Sequence, residues 1–131
     1  MLYPRSALFV ALFAFATTIV GATPVAAQAQ VPQQVPLIEP AQVRGLMAMG
    51  GKITIIDVRQ PDETALGTIP GAILMPLDNL PNTFSSLPKK GKLIVYCRSG
   101  HRSAQAVQFL LDHGYKNAVS MNGGYLAWTQ H

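Results

Sequence analysis

The sequence predicts an α/β domain, a mostly parallel β-sheet covered by helices on both faces, and three observations carry that prediction. Short aliphatic or β-branched runs alternate with stretches of helical spacing from residue 37 to residue 131. Leu93-Ile94-Val95-Tyr96, placed just behind Gly91, is a continuous apolar run, the pattern of a strand buried on both faces of a parallel sheet. The segment Cys97-Arg98-Ser99-Gly100-His101-Arg102-Ser103 then separates that strand from a helical pattern. In open parallel sheets, ligands bind outside the carboxyl ends of the strands.

The elements follow in order. Pro40 suits the first turn of a helix whose apolar stripe is Val43, Leu46 and Met47, and Gly50-Gly51 end it. Ile53 to Ile56 is a β-branched run and reads as a buried strand running into Asp57-Val58-Arg59. A short helix is expected from Pro61 to Leu66, broken by Gly67, and then a brief strand from Ala72 to Leu74. Asp78 to Leu87 reads as a short helix interrupted by Pro81. After the strand at residues 93–96, Ala104, Val107, Leu110 and Leu111 share one helical face, with Gly114 as the terminating glycine. Ala118 to Met121 supplies a further strand, Gly123-Gly124 turns the chain, and Tyr125 to Trp128 begins a terminal helix. Trp128, Tyr125 and Leu126 are read as core or lid packing, and Phe84 and Leu87 as one wall of a pocket.

The chain has 131 residues, 49% of them hydrophobic and 12% charged, which suggests one small domain plus an additional apolar segment. That segment is at the front. Arg5 precedes an almost wholly apolar stretch from Ala7 to Val20, and small residues follow, with cleavage options after Ala27 or Ala29. This is the plan of a secretory signal peptide over residues 1–29, and it predicts export to the periplasm. The apolar run is shorter than the roughly 20 residues that span a bilayer, so no stable membrane insertion is expected after processing. Residues 30–36, rich in Gln, Pro and Val, read as a linker, leaving residues 37–131 as the domain, expected to act as a monomer. The net charge of +4 is scattered, and Lys89, Lys90 and Lys92 fit a solvated turn, so nucleic acid is not expected as a partner. No dinucleotide fingerprint or phosphate-binding glycine loop occurs, and no organic cofactor is implied.

Cys97, the only cysteine, is therefore the candidate nucleophile. A lone cysteine beside a strand is commonly core filler, but two arginines, a glycine and two serines directly after it suit an exposed polar loop. The N–H groups of a helix start lack intrahelical partners and carry the positive end of its dipole. Together with Arg98 and Arg102 they should lower the thiol's pKa below the free-cysteine value of about 8.5. The same groups make an anion cradle from Arg98, Ser99, Gly100, His101, Arg102 and Ser103, with Gly100 letting the backbone curl. His101 reads as an exposed residue at the entrance, and His113 as a favourable charge at its helix's C-terminal end. Asp57 and Arg59 read as structural support at a strand end, the carboxylate capping amides and pairing with a cation.

Four segments in this order resemble the single-domain rhodaneses, the sulfurtransferase family, and in particular its exported bacterial members. They are Ile-Ile-Asp-Val-Arg at 55–59, Pro-Asp-Glu at 61–63 with Gly67, Ile69, Gly71 and Ala72 behind it, the loop 97–103, and Asn-Gly-Gly-Tyr-Leu-Ala-Trp at 122–128. Thr64 and Thr68 stand where many members carry an aromatic residue and a histidine. The resemblance implies a rhodanese-like three-layer sandwich with a five-stranded sheet. It also implies a persulfide mechanism at Cys97: the thiolate takes the outer sulfur of thiosulfate, sulfite leaves, and cyanide or a thiol collects the sulfur.

Rival readings fit less well. Phosphatases and arsenate reductases use a cysteine loop with five residues before the arginine, whereas here four separate Cys97 from Arg102, and only Asp78 and Asp112 offer a general acid. A metal site would have to combine Cys97, His101 and a distant His113 or His131, a poor donor set, and none is expected. A non-catalytic persulfide carrier would share the first half-reaction and differ only in turnover.

Overall fold

The computed structural model describes Gly21 and residues 34–130. The expected signal peptide at 1–29, most of the linker and His131 lie outside the described residues, Gly21 and the last linker residues excepted. Five strands, β1 (Leu37–Ile38), β2 (Ile53–Asp57), β3 (Ile73–Leu74), β4 (Lys92–Tyr96) and β5 (Ala118–Met121), form one sheet in the order β1-β5-β4-β2-β3. Every pairing in it is parallel. Among the described residues five α-helices accompany it: α1 (Pro40–Ala48), α2 (Pro61–Thr64), α3 (Leu80–Thr83), α4 (His101–Asp112) and α5 (Gly124–Trp128). None is long and apolar enough to cross a membrane among the described residues.

The predicted α/β class and the parallel sheet are what the structure shows, and the pleat explains the three layers. Along β4, Leu93 and Val95 point into one core with Ala106, Val107 and Leu110 of α4 and Leu80 of α3. Ile94 and Tyr96 point into the other, with Val43 of α1 and Trp128 of α5. All four of these β4 residues are fully buried, so a one-residue slip in register would exchange two packed faces. The chain leaves β2 toward β3 and leaves β4 toward β5, in opposite directions across the sheet. The carboxyl ends of β2 and β4 therefore flank the topological switch point, where ligands bind in folds of this kind.

Several expectations are corrected. β1 was not foreseen as an element: two residues carry no periodicity, and the strand exists only through its pairing with Ser120 and Met121. Pro81 does not interrupt a helix. It sits in the first turn of α3, where its missing N–H costs nothing, and short 3-10 turns at Leu77–Asn79 and Phe84–Ser86 flank it. α2 ends at Thr64 rather than Leu66, and Gly124 is already inside α5. Phe84 and Leu87, read as one wall of a pocket, instead pack in the core on the α4 side of the sheet. Leu87 is in the core, and Phe84 packs edge-on against Phe109 at 5.1 Å and beside His113 and Tyr115, at the far end of α4.

Candidate active site

Cys97 follows directly on β4, and the loop it opens is shorter than the sequence suggests, because α4 begins at His101. The turn is made at Gly100, whose φ of +105° suits glycine. Its N–H donates to Cys97 Sγ at 3.0 Å. Ser103, fully buried one turn into α4, places its hydroxyl 3.6 Å from the sulfur and 3.1 Å from the Gly100 carbonyl. Behind it, Ser120 on β5 lies 2.8 Å away, hydroxyl to hydroxyl.

Cys97 is 1% exposed, and this burial pushes its pKa up. The Ser103 hydroxyl and the amides of Ser103, Gly100 and Ser99 outweigh that burial, and the net result is a lowered value. Converging donors stabilise the thiolate more than desolvation harms it.

The loop is held from outside by α5. The Tyr125 and Leu126 N–H groups donate to the Cys97 and Arg98 carbonyls at 2.8 and 3.0 Å. This approach is so close that a Cβ at Gly124, which has φ +60°, would lie 2.5 Å from the Arg98 carbonyl oxygen. The Asn-Gly-Gly-Tyr segment is thus a backbone clamp on the cysteine loop.

The two loop arginines differ. Arg98 is exposed. Arg102 grips Glu63 of α2 in a two-pronged ion pair, Nη1 to Oε2 at 2.7 Å and Nη2 to Oε1 at 2.6 Å. This partner holds the Glu63 carboxyl down to about 2 and raises Arg102. The Cys97 thiolate also favours the Arg102 charge, which places this cation within electrostatic reach of the sulfur. Ser99 and His101 are exposed at the mouth, the His101 ring 3.3 Å from the Gln105 amide nitrogen.

Asp57 and Arg59 are nearly inaccessible, at 1% and 3%, and pair at 2.6 Å. Asp57 also accepts from the Arg59 backbone N–H at 3.0 Å and from Tyr96 Oη at 2.8 Å. Arg59 reaches the Gly67 carbonyl at 2.8 Å and lies 4.5 Å from the Tyr125 ring centroid. Tyr96 Oη accepts from the Ile69 N–H at 3.1 Å, and burial pushes its pKa up to about 12. Among the described residues no hydrogen bond or ion pair links Asp57 or Arg59 to Cys97; they lock the loop after β2 against β4. No three His, Cys, Asp or Glu side chains converge as a metal site among the described residues.

Sequence reasoning missed Glu63 and Ser120 as parts of this site. Ser120 had a weak signal, a polar residue inside the apolar run Ala118 to Met121. Glu63 had one for a different role: three residues after Gln60 and behind Pro61, it reads as a helix cap, and it does accept the Gln60 N–H at 2.9 Å. Nothing local points its other contacts at Arg102.

Comparison with known proteins agrees with this fold. The rhodanese-like domain family matches residues 39–131. A sulfurtransferase of Allochromatium vinosum is 39% identical over 79 residues, covering 60% of this chain and 74% of its own length. The thiosulfate:glutathione sulfurtransferase of Homo sapiens is 32% identical over 109 residues, covering 72% and 94%. The crystal structure of a rhodanese-related protein from Thermoplasma volcanium superposes with a TM-score of 0.67 at 33% identity, covering 72% of this chain and 91% of that one.

Proposed function

Because the chain belongs to the rhodanese-like domain family and has sulfurtransferases among its relatives, we propose that it transfers the outer sulfur of thiosulfate through a Cys97 persulfide to cyanide or a thiol. One observation carries this reading. The sulfur of Cys97 sits at the centre of a ring of donors, with the Gly100 N–H at 3.0 Å and the Ser103 hydroxyl at 3.6 Å. Such a ring favours an anion on sulfur, first as thiolate and then as persulfide.

The thiolate attacks the outer sulfur of thiosulfate. The sulfur–sulfur bond breaks, sulfite leaves with its electron pair, and the enzyme holds a persulfide of unit negative charge. Arg98 and the amides around Gly100 offset the charge of the approaching dianion and of the departing sulfite. An acceptor thiolate or cyanide then attacks the outer persulfide sulfur and regenerates the Cys97 thiolate. The carboxylates near the loop are bound to arginines, which suits a reaction with no protonation of a leaving group.

Intact mass of the reduced domain after exposure to thiosulfate tests the reading. A gain of one sulfur, absent in Cys97→Ser and removed by cyanide as thiocyanate, is expected. No gain in a folded, reduced sample would overturn it. Repeated turnover with cyanide distinguishes an enzyme from a carrier that releases its sulfur only to one partner.

The N-terminal pattern supports export with removal of residues 1–29 or 1–27 and a periplasmic domain. N-terminal sequencing of the protein from an extracytoplasmic fraction is expected to start at residue 28 or 30.

A further inference from the structure

We propose that Glu63 is a specificity-determining residue that neutralises Arg102 and so favours sulfur donors of lower negative charge. The proposal rests on the sulfur-transfer reading for its substrates and on the Glu63–Arg102 geometry for its physics. Both terminal nitrogens of Arg102 are committed to the two carboxylate oxygens of Glu63, at 2.7 and 2.6 Å. The pair is not deeply buried, with 32% and 25% of the side chains exposed, so it borders solvent at the cysteine loop rather than lying inside the core.

The charges facing Glu63 are Arg102 from α4 and Arg59 from the loop after β2. Arg59 is already matched by Asp57 at 2.6 Å. With Arg102 matched by Glu63, Arg98 is the loop cation that no carboxylate offsets among the described residues. An anionic donor approaching Cys97 therefore meets a site with about one net positive charge, rather than the two that the loop sequence suggests.

The consequence depends on donor charge in a definite way. Removing one negative charge near the loop stabilises a bound donor in proportion to the donor's own charge. Whatever factor Glu63→Gln brings to a monoanion, it brings about the square of that factor to a dianion. Thiosulfate and methanethiosulfonate make the comparison, since both offer a terminal sulfur bonded to an oxidised sulfur. Attack by the Cys97 thiolate breaks that bond in each. A dianionic sulfite leaves from the first, a monoanionic methanesulfinate from the second, and the same persulfide remains.

The test measures persulfide formation with each donor at low ionic strength for wild type, Glu63→Gln and Glu63→Asp. Glu63→Gln keeps an oxygen for Arg102 and loses the charge; Glu63→Asp keeps the charge. The expected result is a threefold to tenfold rise in the thiosulfate-to-methanethiosulfonate ratio of kcat/KM in Glu63→Gln, fading in high salt, with little change in Glu63→Asp. A residue that only braced the fold would lower both rates and leave the ratio alone. Alkylation of Cys97 by anionic iodoacetate and neutral iodoacetamide supplies a second ratio that needs no sulfur transfer, and it should rise in Glu63→Gln as well. Unchanged ratios in folded Glu63→Gln would overturn the proposal. If wild type forms no persulfide with either donor, the sulfur-transfer reading fails, and the alkylation ratio still decides the role of Glu63.

Discussion

Ser103 holds its hydroxyl 3.6 Å from the sulfur of Cys97, and its own oxygen is met by Ser120 at 2.8 Å. Hydroxyl hydrogens rotate to suit their neighbours. With the thiol protonated, Ser103 can donate to the Gly100 carbonyl at 3.1 Å and accept from sulfur. With the thiolate formed, Ser120 can supply the Ser103 oxygen while the Ser103 hydrogen turns to sulfur. The pair is a short relay that follows the charge on Cys97.

Ser103→Ala removes a donor that lowers the Cys97 pKa and leaves in place the burial that raises it. The midpoint of iodoacetamide alkylation against pH is expected to move up, and sulfur transfer at mildly acid pH to fall by roughly threefold to tenfold, the weight of one ordinary hydrogen bond. Ser120→Ala should move the midpoint in the same direction by less. An unmoved midpoint in Ser103→Ala would mean that the backbone amides alone hold the thiolate.

Gly124→Ala tests the clamp. The added Cβ would meet the Arg98 carbonyl oxygen at 2.5 Å and the Cys97 carbonyl oxygen at 2.6 Å, at a φ of +60° that side chains disfavour. A loss of about 2–4 kcal/mol in urea unfolding is expected, with slower persulfide formation in the fraction that folds. Gly45→Ala, where nothing lies within 4 Å of the new methyl, should cost no stability.

The buried pair after β2 is expected to act on stability. Asp57→Asn strands the Arg59 guanidinium at 3% exposure, and breaking such a pair costs about 3–5 kcal/mol. Tyr96→Phe removes one hydroxyl that links Asp57 and Ile69, and its cost is about 1–3 kcal/mol. Chemical denaturation measures both. A stable Asp57→Asn protein that cannot form a persulfide would instead move Asp57 into the chemistry.

Glu63 gives a pH signature. Arg102 holds its carboxyl down to about 2 from an ordinary 4.5, so the folded protein binds this proton less readily than the unfolded chain. Its stabilisation is complete above 4.5 and is lost as the pH falls toward 2. The stability difference between wild type and Glu63→Gln is expected to be constant at neutral pH and to shrink across that acid window. Solvent screens the pair, so the difference is small and declines with salt.

Much of the scaffold was legible because local patterns encode it. The run Leu93 to Tyr96 could only be a strand with two buried faces, and β4 is the sheet's central strand. Val107 and Leu110 marked the buried face of α4, and Gly100 marked the turn. Cys97 stood out by chemistry and position together. The loop's length was misread, because His101 and Arg102 are polar and look like loop, yet they form the exposed first turn of α4. Nor does the sequence show that Arg102 is paired with Glu63: it shows a charge and not what faces it.

The sequence by itself determined the order of the helices and of strands β2 to β5, the two-sided burial of β4 and the placement of Cys97 between a strand and a helix start. These follow from periodicity and turn chemistry within about a dozen residues. Only the tertiary structure decided which side chains meet in and around the site. Arg102 and Glu63 are 39 residues apart, as are Tyr96 and Asp57, and Ser103 and Ser120 are 17 apart. Their meetings depend on the order β1-β5-β4-β2-β3, which sets β2 and β5 on either side of β4. Strand order is a long-range outcome of packing two helical layers on one twisted sheet, and no local run of residues records it.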